Sequence, residues 1–164
     1  MISSHLSPDI REFIRLLAIH KVRYVIVGGE AVIYYGFARL TGDVDFFYEA
    51  SAENVKVLYD ALVQFWKGKV PGVKSKDELL EIGTIFQFGM PPNRIDLINS
   101  IDAVTFNEAW EKRTEEYIKI KGEEYPVYYI GLEQLIKNKI SMKRFKDLED
   151  LKYLNEIFKH LDKE

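Results

Sequence analysis

The chain has 164 residues, of which 47% are hydrophobic and 30% charged, and its formal net charge is −3. This length suits a single domain that buries about 70% of the surface of its unfolded chain, and the composition is that of a globular protein. The absence of cysteine excludes disulfides and thiolate metal sites. The net charge argues against a surface that coats nucleic acid non-specifically.

The sequence also bears on location. Its first residues, MISSHLSPDIREF, lack the basic stretch and long apolar run of a signal peptide. No uninterrupted apolar run approaches the roughly 18 to 20 residues that a membrane span needs. We therefore predict a cytoplasmic protein that does not enter a membrane.

The N-terminal half predicts alternating helices and strands. Ser7 and Pro8 are typical of a helix start, and apolar residues follow them at helical spacing. Ser51 is placed to cap a later helix that carries apolar residues on one face. Between these helices the chain predicts a strand at 23–29 (RYVIVGG), a short helix at 30–37 (EAVIYYGF) and a second strand at 40–49 (LTGDVDFFYE).

The C-terminal half predicts further strands, followed by two helices. Residues 67–76 are predicted to be a loop and the most flexible segment of the chain. The predicted elements after it are strands at 78–89 and 93–99 joined by MPPN, a helix at 106–112, a hairpin of EYIKI and YPVYYI around Gly122, and helices at 132–143 and 147–160. This order indicates an α/β or α+β domain built on a mixed sheet.

Three aspartates stand out against the apolar strands. Asp43 and Asp45 are two residues apart in a strand, so their side chains share a face, and Asp96 alternates in the same way with the apolar residues of RIDLI. If the two strands are neighbours, the three carboxylates converge. Two carboxylates about 4 Å apart repel by roughly 4 kcal/mol, so such a site needs a cation or a proton. Hard oxygen ligands without nearby His or Cys favour Mg²⁺ or Mn²⁺. The alternative is that these aspartates are solvated or capping groups.

A glycine pair, Gly28 and Gly29, lies between a predicted strand and a predicted helix. Glycine there allows a tight turn and a close approach of the backbone to a phosphate. The alternative is an ordinary turn between strand and helix. Neither the dinucleotide-binding pattern nor the P-loop pattern is present. Glu30 follows immediately, and the sequence leaves the direction of its side chain open.

Four motifs in order carry a family resemblance: VGGEAVIYYGFARLTGDVDFF, RIDL, LIKNK and RFKDLEDL. This chain resembles the DNA polymerase β-like nucleotidyltransferase superfamily, in which a glycine pair precedes Asp-x-Asp and a later strand supplies a third Asp. More closely, it is similar to small minimal nucleotidyltransferases related to abortive-infection (AbiEii-like) toxins. The resemblance extends from about residue 24 to residue 154.

The resemblance implies a nucleotidyltransferase fold with a nucleotide-binding cavity that holds two divalent ions. We expect one such domain over residues 1–164, with a core at about 22–130 and a C-terminal helical segment at 131–164. Asp43 and Asp45 match the two metal-bridging carboxylates of the superfamily. Asp96 matches the third carboxylate, which helps to hold the metal that activates the attacking hydroxyl.

The resemblance also implies residues that bind the nucleotide. Gly28 and Gly29 match the triphosphate-binding turn. Arg39 and Thr41 lie where polar groups can reach the phosphates or the second substrate. Arg144 and Lys146 contact the nucleotide or the acceptor in this interpretation, and in the alternative they are solvated.

Helical periodicity, independently of the resemblance, predicts the environment of Lys139. It falls inside the apolar stripe that Leu135, Ile136 and Ile140 define, so it is either a buried cation or a lysine whose ammonium extends to water. The resemblance implies that it reaches the nucleotide phosphates. Asp147 has a simpler interpretation, as the N-cap of the last helix.

These features predict a metal-dependent nucleotidyltransferase, which uses Mg²⁺ or Mn²⁺ to move an NMP from an NTP to a hydroxyl acceptor. The acceptor is an RNA such as tRNA, or a protein, and the role is toxin-like. Five basic residues between Lys137 and Lys146 slightly favour RNA. The alternatives are a nucleotide-binding module without turnover, a partner in a toxin–antitoxin pair, and a structural α/β protein with solvated aspartates.

Overall fold

The computed structural model describes residues 6–37, 42–91 and 93–162. The N-terminal half contains helix α1 (Pro8–Ile19), strand β1 (Tyr24–Val27), helix α2 (Gly28–Tyr34), strand β2 (Asp43–Tyr48) and helix α3 (Ala52–Phe65). The rest contains a short 3-10 helix (Lys76–Leu80), strands β3 (Phe86–Phe88) and β4 (Arg94–Ile98), helix α4 (Phe106–Glu111), strands β5 (Thr114–Ile120) and β6 (Glu123–Tyr129), and helices α5 (Leu132–Met142) and α6 (Phe145–Asp162).

The strands of the described residues form one mixed sheet in the order β3–β4–β2–β1–β6–β5. The pairs β2–β4 and β1–β6 are parallel, and the other three pairs are antiparallel. The predicted fold class, a mixed sheet flanked by helices with two helices at the C-terminus, is confirmed. Among the helices of the described segments, none is both long and apolar enough to cross a membrane.

Alternation along β2 divides its side chains between two environments. Val44 and Phe46 are buried, and the Phe46 ring meets the edge of Phe13 on α1 at 5.2 Å between centroids. On the opposite face Phe47 packs against Phe106 of α4. That face therefore has an apolar cover at Phe47 but not at the start of the strand, where Asp43 and Asp45 are partly exposed.

Side-chain caps fix the starts of three helices. Ser7 Oγ accepts a hydrogen bond from the backbone N–H of Ile10, and Ser51 Oγ accepts one from the N–H of Asn54. Thr105 caps α4 in the same way. Both serine caps agree with the sequence interpretation, because a short oxygen-bearing side chain satisfies amides that the helix itself leaves unpaired.

The predicted strand at 78–89 was wrong in its first half. Leu79 is buried within the 3-10 helix, and β3 has only three residues. The Asn99 amide donates to the carbonyls of Leu79 and Glu81, and Asn99 Oδ1 accepts from the Gly83 N–H. These backbone groups are bonded to a side chain instead of to a neighbouring strand.

Other element boundaries also differ from the predicted ones. Helix α6 begins at Phe145, two residues before its predicted start, and both hairpin strands have seven residues. In the loop at 67–76, Val70 and Val73 are buried in the core, so this segment is anchored at two points.

Asn54 links α3 to the adjoining strands and provides a test of the fold. Its side chain accepts from the Arg23 N–H at 2.7 Å and donates to the carbonyls of Arg23 at 3.0 Å and Glu49 at 2.8 Å. Asn54→Ala strands these buried backbone groups, so we expect a loss of about 3 kcal/mol, or about 6–12 °C in Tm. Thermal unfolding measures this, with the exposed Asn107→Ala as control. Equal melting temperatures for the two variants would contradict the assignment.

Candidate active site

The parallel pairing of β2 and β4 assembles a carboxylate triad, which we define as Asp43, Asp45 and Asp96. Asp45 lies opposite Asp96 in the register, and Asp43 lies opposite Arg94. Residues opposite each other in a sheet point to the same face. Each of the three carboxylates has an oxygen within 4.8 Å of an oxygen of the other two. The structure thus brings together the three aspartates that the sequence singled out.

Arg94 is a fourth member of this site, and sequence reasoning missed it. Its Nη2 donates to Asp43 Oδ2 at 2.6 Å, and its Nε donates to Asp96 Oδ1 at 3.1 Å. The signal was present in the sequence, because Arg94 is two residues before Asp96 and shares its strand face. The guanidinium therefore bridges the two strands through two of the three carboxylates.

The triad is electrostatically unbalanced in spite of Arg94. Burial, together with the neighbouring charges of Asp43 and Asp96, raises the pKa of Asp45 to about 7, while Arg94 opposes the shift. Burial also raises the pKa of Asp96, aided by contact with Asp43. Among the described residues, the guanidinium of Arg94 bonds two of the three carboxylates, and the raised pKa values of Asp45 and Asp96 indicate that the site favours an added proton or cation.

The triad opens into a cavity of about 600 Å³. The same cavity is lined by Gly28 and Gly29 from the start of α2 and by Gln87 from β3. From the C-terminal helical region it is lined by Lys139, Arg144 and Lys146. Arg39 and Thr41, also predicted to bind nucleotide, lie outside the described residues.

Gly28 is required by the close approach of β1 and β2. Its φ is +67°, and a Cβ built on it would overlap Asp45 Oδ2. Only glycine combines this backbone conformation with this contact at low cost. Glu30, whose direction the sequence left open, is buried and is not part of the cavity lining.

Lys139 belongs to a second charged group, the ion cluster, which we define as Lys139, Arg144, Asp147 and Asp150. Lys139 is only 1% exposed, and its Nζ lies 2.9 Å from Asp147 Oδ1 and 3.2 Å from Asp150 Oδ2. Of the two interpretations of its periodicity, the structure supports the buried cation. Its predicted contact with phosphates stays a prediction.

Asp147 joins α5 and α6 and does not occupy the N-cap position that the sequence predicted. It lies in the first turn of α6, where its carboxylate accepts from the Arg144 N–H at 3.1 Å and from Arg144 Nε at 2.7 Å. Burial opposes its ionisation, but hydrogen bonds from Arg144 and Lys139 outweigh burial and lower the pKa of Asp147 to about 2. The carboxylate therefore stays charged and holds both cations in place.

The donor set of the triad fits Mg²⁺ or Mn²⁺, since three converging carboxylates supply hard oxygen ligands. Asp43, Asp45 and Asp96 are the residues that would hold such an ion. Arg94 already bonds oxygens of Asp43 and Asp96, so a cation would compete with it for these two ligands.

Comparisons with known proteins identify the family to which the chain belongs. Residues 7–164 match the model of the family DUF6036, described as "nucleotidyltransferase of unknown function". The chain belongs to this family of nucleotidyltransferases. No curated protein sequence matches it significantly. Among solved structures it is similar to JHP933 from Helicobacter pylori, at 18% identity and a TM-score of 0.46 over 91% of this chain and 67% of that one.

The requirement for Gly28 can be tested with a matched variant. In Gly28→Ala the added methyl displaces the Asp45 carboxylate, so we expect Mn²⁺ binding to weaken at least about tenfold. We also expect the free energy of unfolding to fall by about 1 kcal/mol, because alanine is strained at a positive φ. Gly72→Ala is the control, because Gly72 has φ +74° and open space around the added Cβ. Isothermal titration with Mn²⁺ compares them, and equal affinities would contradict the argument.

The raised pKa of Asp45, which is due first to burial and then to repulsion by Asp43 and Asp96, predicts a pH-dependent stability. Because the pKa of Asp45 is raised on folding, the folded state holds a proton that the unfolded state releases, and stability falls as the pH rises from about 4 to about 7. Asp45→Asn removes this repulsion. In metal-free buffer at pH 8 we expect the variant to be more stable by on the order of 1 kcal/mol, about 2–4 °C in Tm, with a smaller gain at pH 5.

The exposed Asp60→Asn is the control for that measurement, since its charge lies on the surface of α3. Thermal unfolding at both pH values is the readout. A Tm for Asp45→Asn below that of the wild type at pH 8 would show that the triad is not under repulsive strain.

Proposed function

We propose that this chain transfers a nucleoside monophosphate from a nucleoside triphosphate to the hydroxyl group of an acceptor. The observation that carries the proposal is the convergence of Asp43, Asp45 and Asp96 on one face of β2 and β4, open to the cavity that Gly28 also lines. Membership of a nucleotidyltransferase family supports the same reaction class.

The nucleotide is held between the two sides of the cavity in this proposal. Gly28 and Gly29 allow the triphosphate to approach the backbone at the start of α2. Lys139, Arg144 and Lys146 lie on the other side and supply positive charge toward the phosphates. Such fixed charges stabilise the negative charge that develops on the phosphate oxygens during transfer.

The reaction is an in-line displacement at phosphorus. The acceptor oxygen forms a bond to the α-phosphorus, the bond from this phosphorus to the oxygen bridging to the β-phosphate breaks, and pyrophosphate leaves. The hydroxyl proton passes to a carboxylate of the triad, which lines the same cavity.

Divalent ions such as Mg²⁺ or Mn²⁺, held by the triad, supply charge neutralisation and a lower pKa for the attacking hydroxyl. The three carboxylates of this chain provide the ligands, and burial of Asp96 fixes its orientation.

The acceptor we propose is an RNA such as tRNA, or a protein, with a toxin-like role suggested by the order of motifs. The structure bears on the charge argument for RNA. Lys137 bonds Glu108 at 3.0 Å, and Lys139 and Arg144 are held in the ion cluster, which leaves Lys143 and Lys146 as the exposed basic residues outside these pairs. Charge on this segment therefore favours RNA less than the sequence suggested.

A label-transfer experiment tests the proposal. Each of the four nucleoside triphosphates, labelled at the α-phosphate, is incubated with the protein, Mn²⁺ or Mg²⁺, and either total RNA or lysate protein. We expect covalent labelling with at least one nucleotide, and a loss of at least about 100-fold in Asp43→Asn and Asp45→Asn.

Asp60→Asn is the control that keeps the triad intact. Digestion of the product with ribonuclease or protease identifies the acceptor class. Bound but untransferred label would favour a nucleotide-binding module, and transfer that survives both triad substitutions would refute the site.

A further inference from the structure

Arg94 provides an inference that goes beyond the reaction class. It lies directly opposite Asp43 in the parallel register and two residues before Asp96, so its guanidinium reaches both strands of the triad. Its side chain is 31% exposed, whereas that of Asp96 is 8% exposed. The guanidinium therefore lies on the cavity side of the carboxylates and not beneath them.

We infer that Arg94 is the resident counter-cation of the triad, which a divalent cation displaces when it binds. This inference rests on the proposed function, because it concerns the same carboxylates. The guanidinium donates to Asp43 Oδ2 and to Asp96 Oδ1, with a longer bond to Asp96 Oδ2 at 3.4 Å. These oxygens belong to two of the three carboxylates that the cation needs.

The competition follows from the chemistry of the two cations. A carboxylate that donates its lone pairs to a metal ion cannot keep a charge-assisted hydrogen bond of 2.6 Å in the same direction. A cation that binds Asp43 Oδ2 and Asp96 Oδ1 therefore has to break the Arg94 bonds to these oxygens. In return, Arg94 limits the repulsion among the carboxylates while no metal is bound.

This arrangement makes Arg94 a positioning residue with opposite effects on two measurable properties. Removing the guanidinium destabilises the metal-free protein, because it takes away a positive charge that is bonded to both Asp43 and Asp96. The same removal strengthens metal binding, because nothing has to be displaced. A residue with only a structural role would weaken both.

The test is a titration of the full chain with MnCl₂ alone, without nucleotide, by isothermal calorimetry and thermal unfolding. For Arg94→Gln we expect a Tm below that of the wild type in the presence of chelator, and a Tm equal to or above that of the wild type at saturating Mn²⁺. We also expect this variant to bind Mn²⁺ about tenfold more tightly than the wild type does. Arg94→Lys keeps the charge but cannot bond both carboxylates, so its affinity for Mn²⁺ should lie between those of the wild type and Arg94→Gln.

Lys146→Gln is the matched control, because Lys146 lines the same cavity and carries the same charge without bonding the triad. Its Mn²⁺ affinity should change by less than about threefold, since its charge acts only through solvent. If Arg94→Gln and Lys146→Gln bind Mn²⁺ equally, or if Arg94→Gln lowers Tm equally with and without Mn²⁺, the inference is wrong.

The outcomes separate this inference from the proposed function. A wild type that binds no Mn²⁺, with no label transfer, overturns both. A wild type that binds Mn²⁺ and transfers label, with no gain of affinity in either Arg94 variant, overturns the counter-cation role alone.

Discussion

The site depends on the parallel register between β2 and β4. With Asp45 opposite Asp96 and Asp43 opposite Arg94, four charged side chains occupy one face of two neighbouring strands. A shift of one residue would turn Asp96 to the opposite face and bring Ile95 and Leu97 to the cavity. The buried positions of Ile95 and Leu97 oppose this shift, so the hydrophobic core sets the geometry of the polar site.

The cavity has two charged groups with different balances. The ion cluster contains two cations, Lys139 and Arg144, and two carboxylates, so its charges cancel. Among the described residues, Arg94 bonds two of the three carboxylates of the triad, so these four side chains together carry an excess of negative charge. A balanced cluster with three buried members is suited to holding α5 against α6, whereas an unbalanced one is suited to binding a ligand. The two sides of the cavity thus have different tasks.

The sequence predicted the fold class, most elements and the three aspartates, because alternation along a strand assigns faces without knowledge of the partner. It missed Arg94 as a site residue, since the bond to Asp43 depends on which residues lie opposite each other. The strand predicted at 78–89 failed for a related reason: the Asn99 amide donates to the carbonyls of Leu79 and Glu81, which are 20 and 18 residues away in the chain. Periodicity describes one element, and these features depend on contacts between elements.

The ion pairs also change what can attract an acceptor. A basic segment of five residues suggests broad attraction to RNA, but the charges of Lys137, Lys139 and Arg144 are already engaged with carboxylates of this chain. An acceptor that used Lys139 would have to share it with Asp147, whose lowered pKa keeps it charged. Recognition of the acceptor that we propose would therefore rest more on the shape and lining of the cavity than on net positive charge.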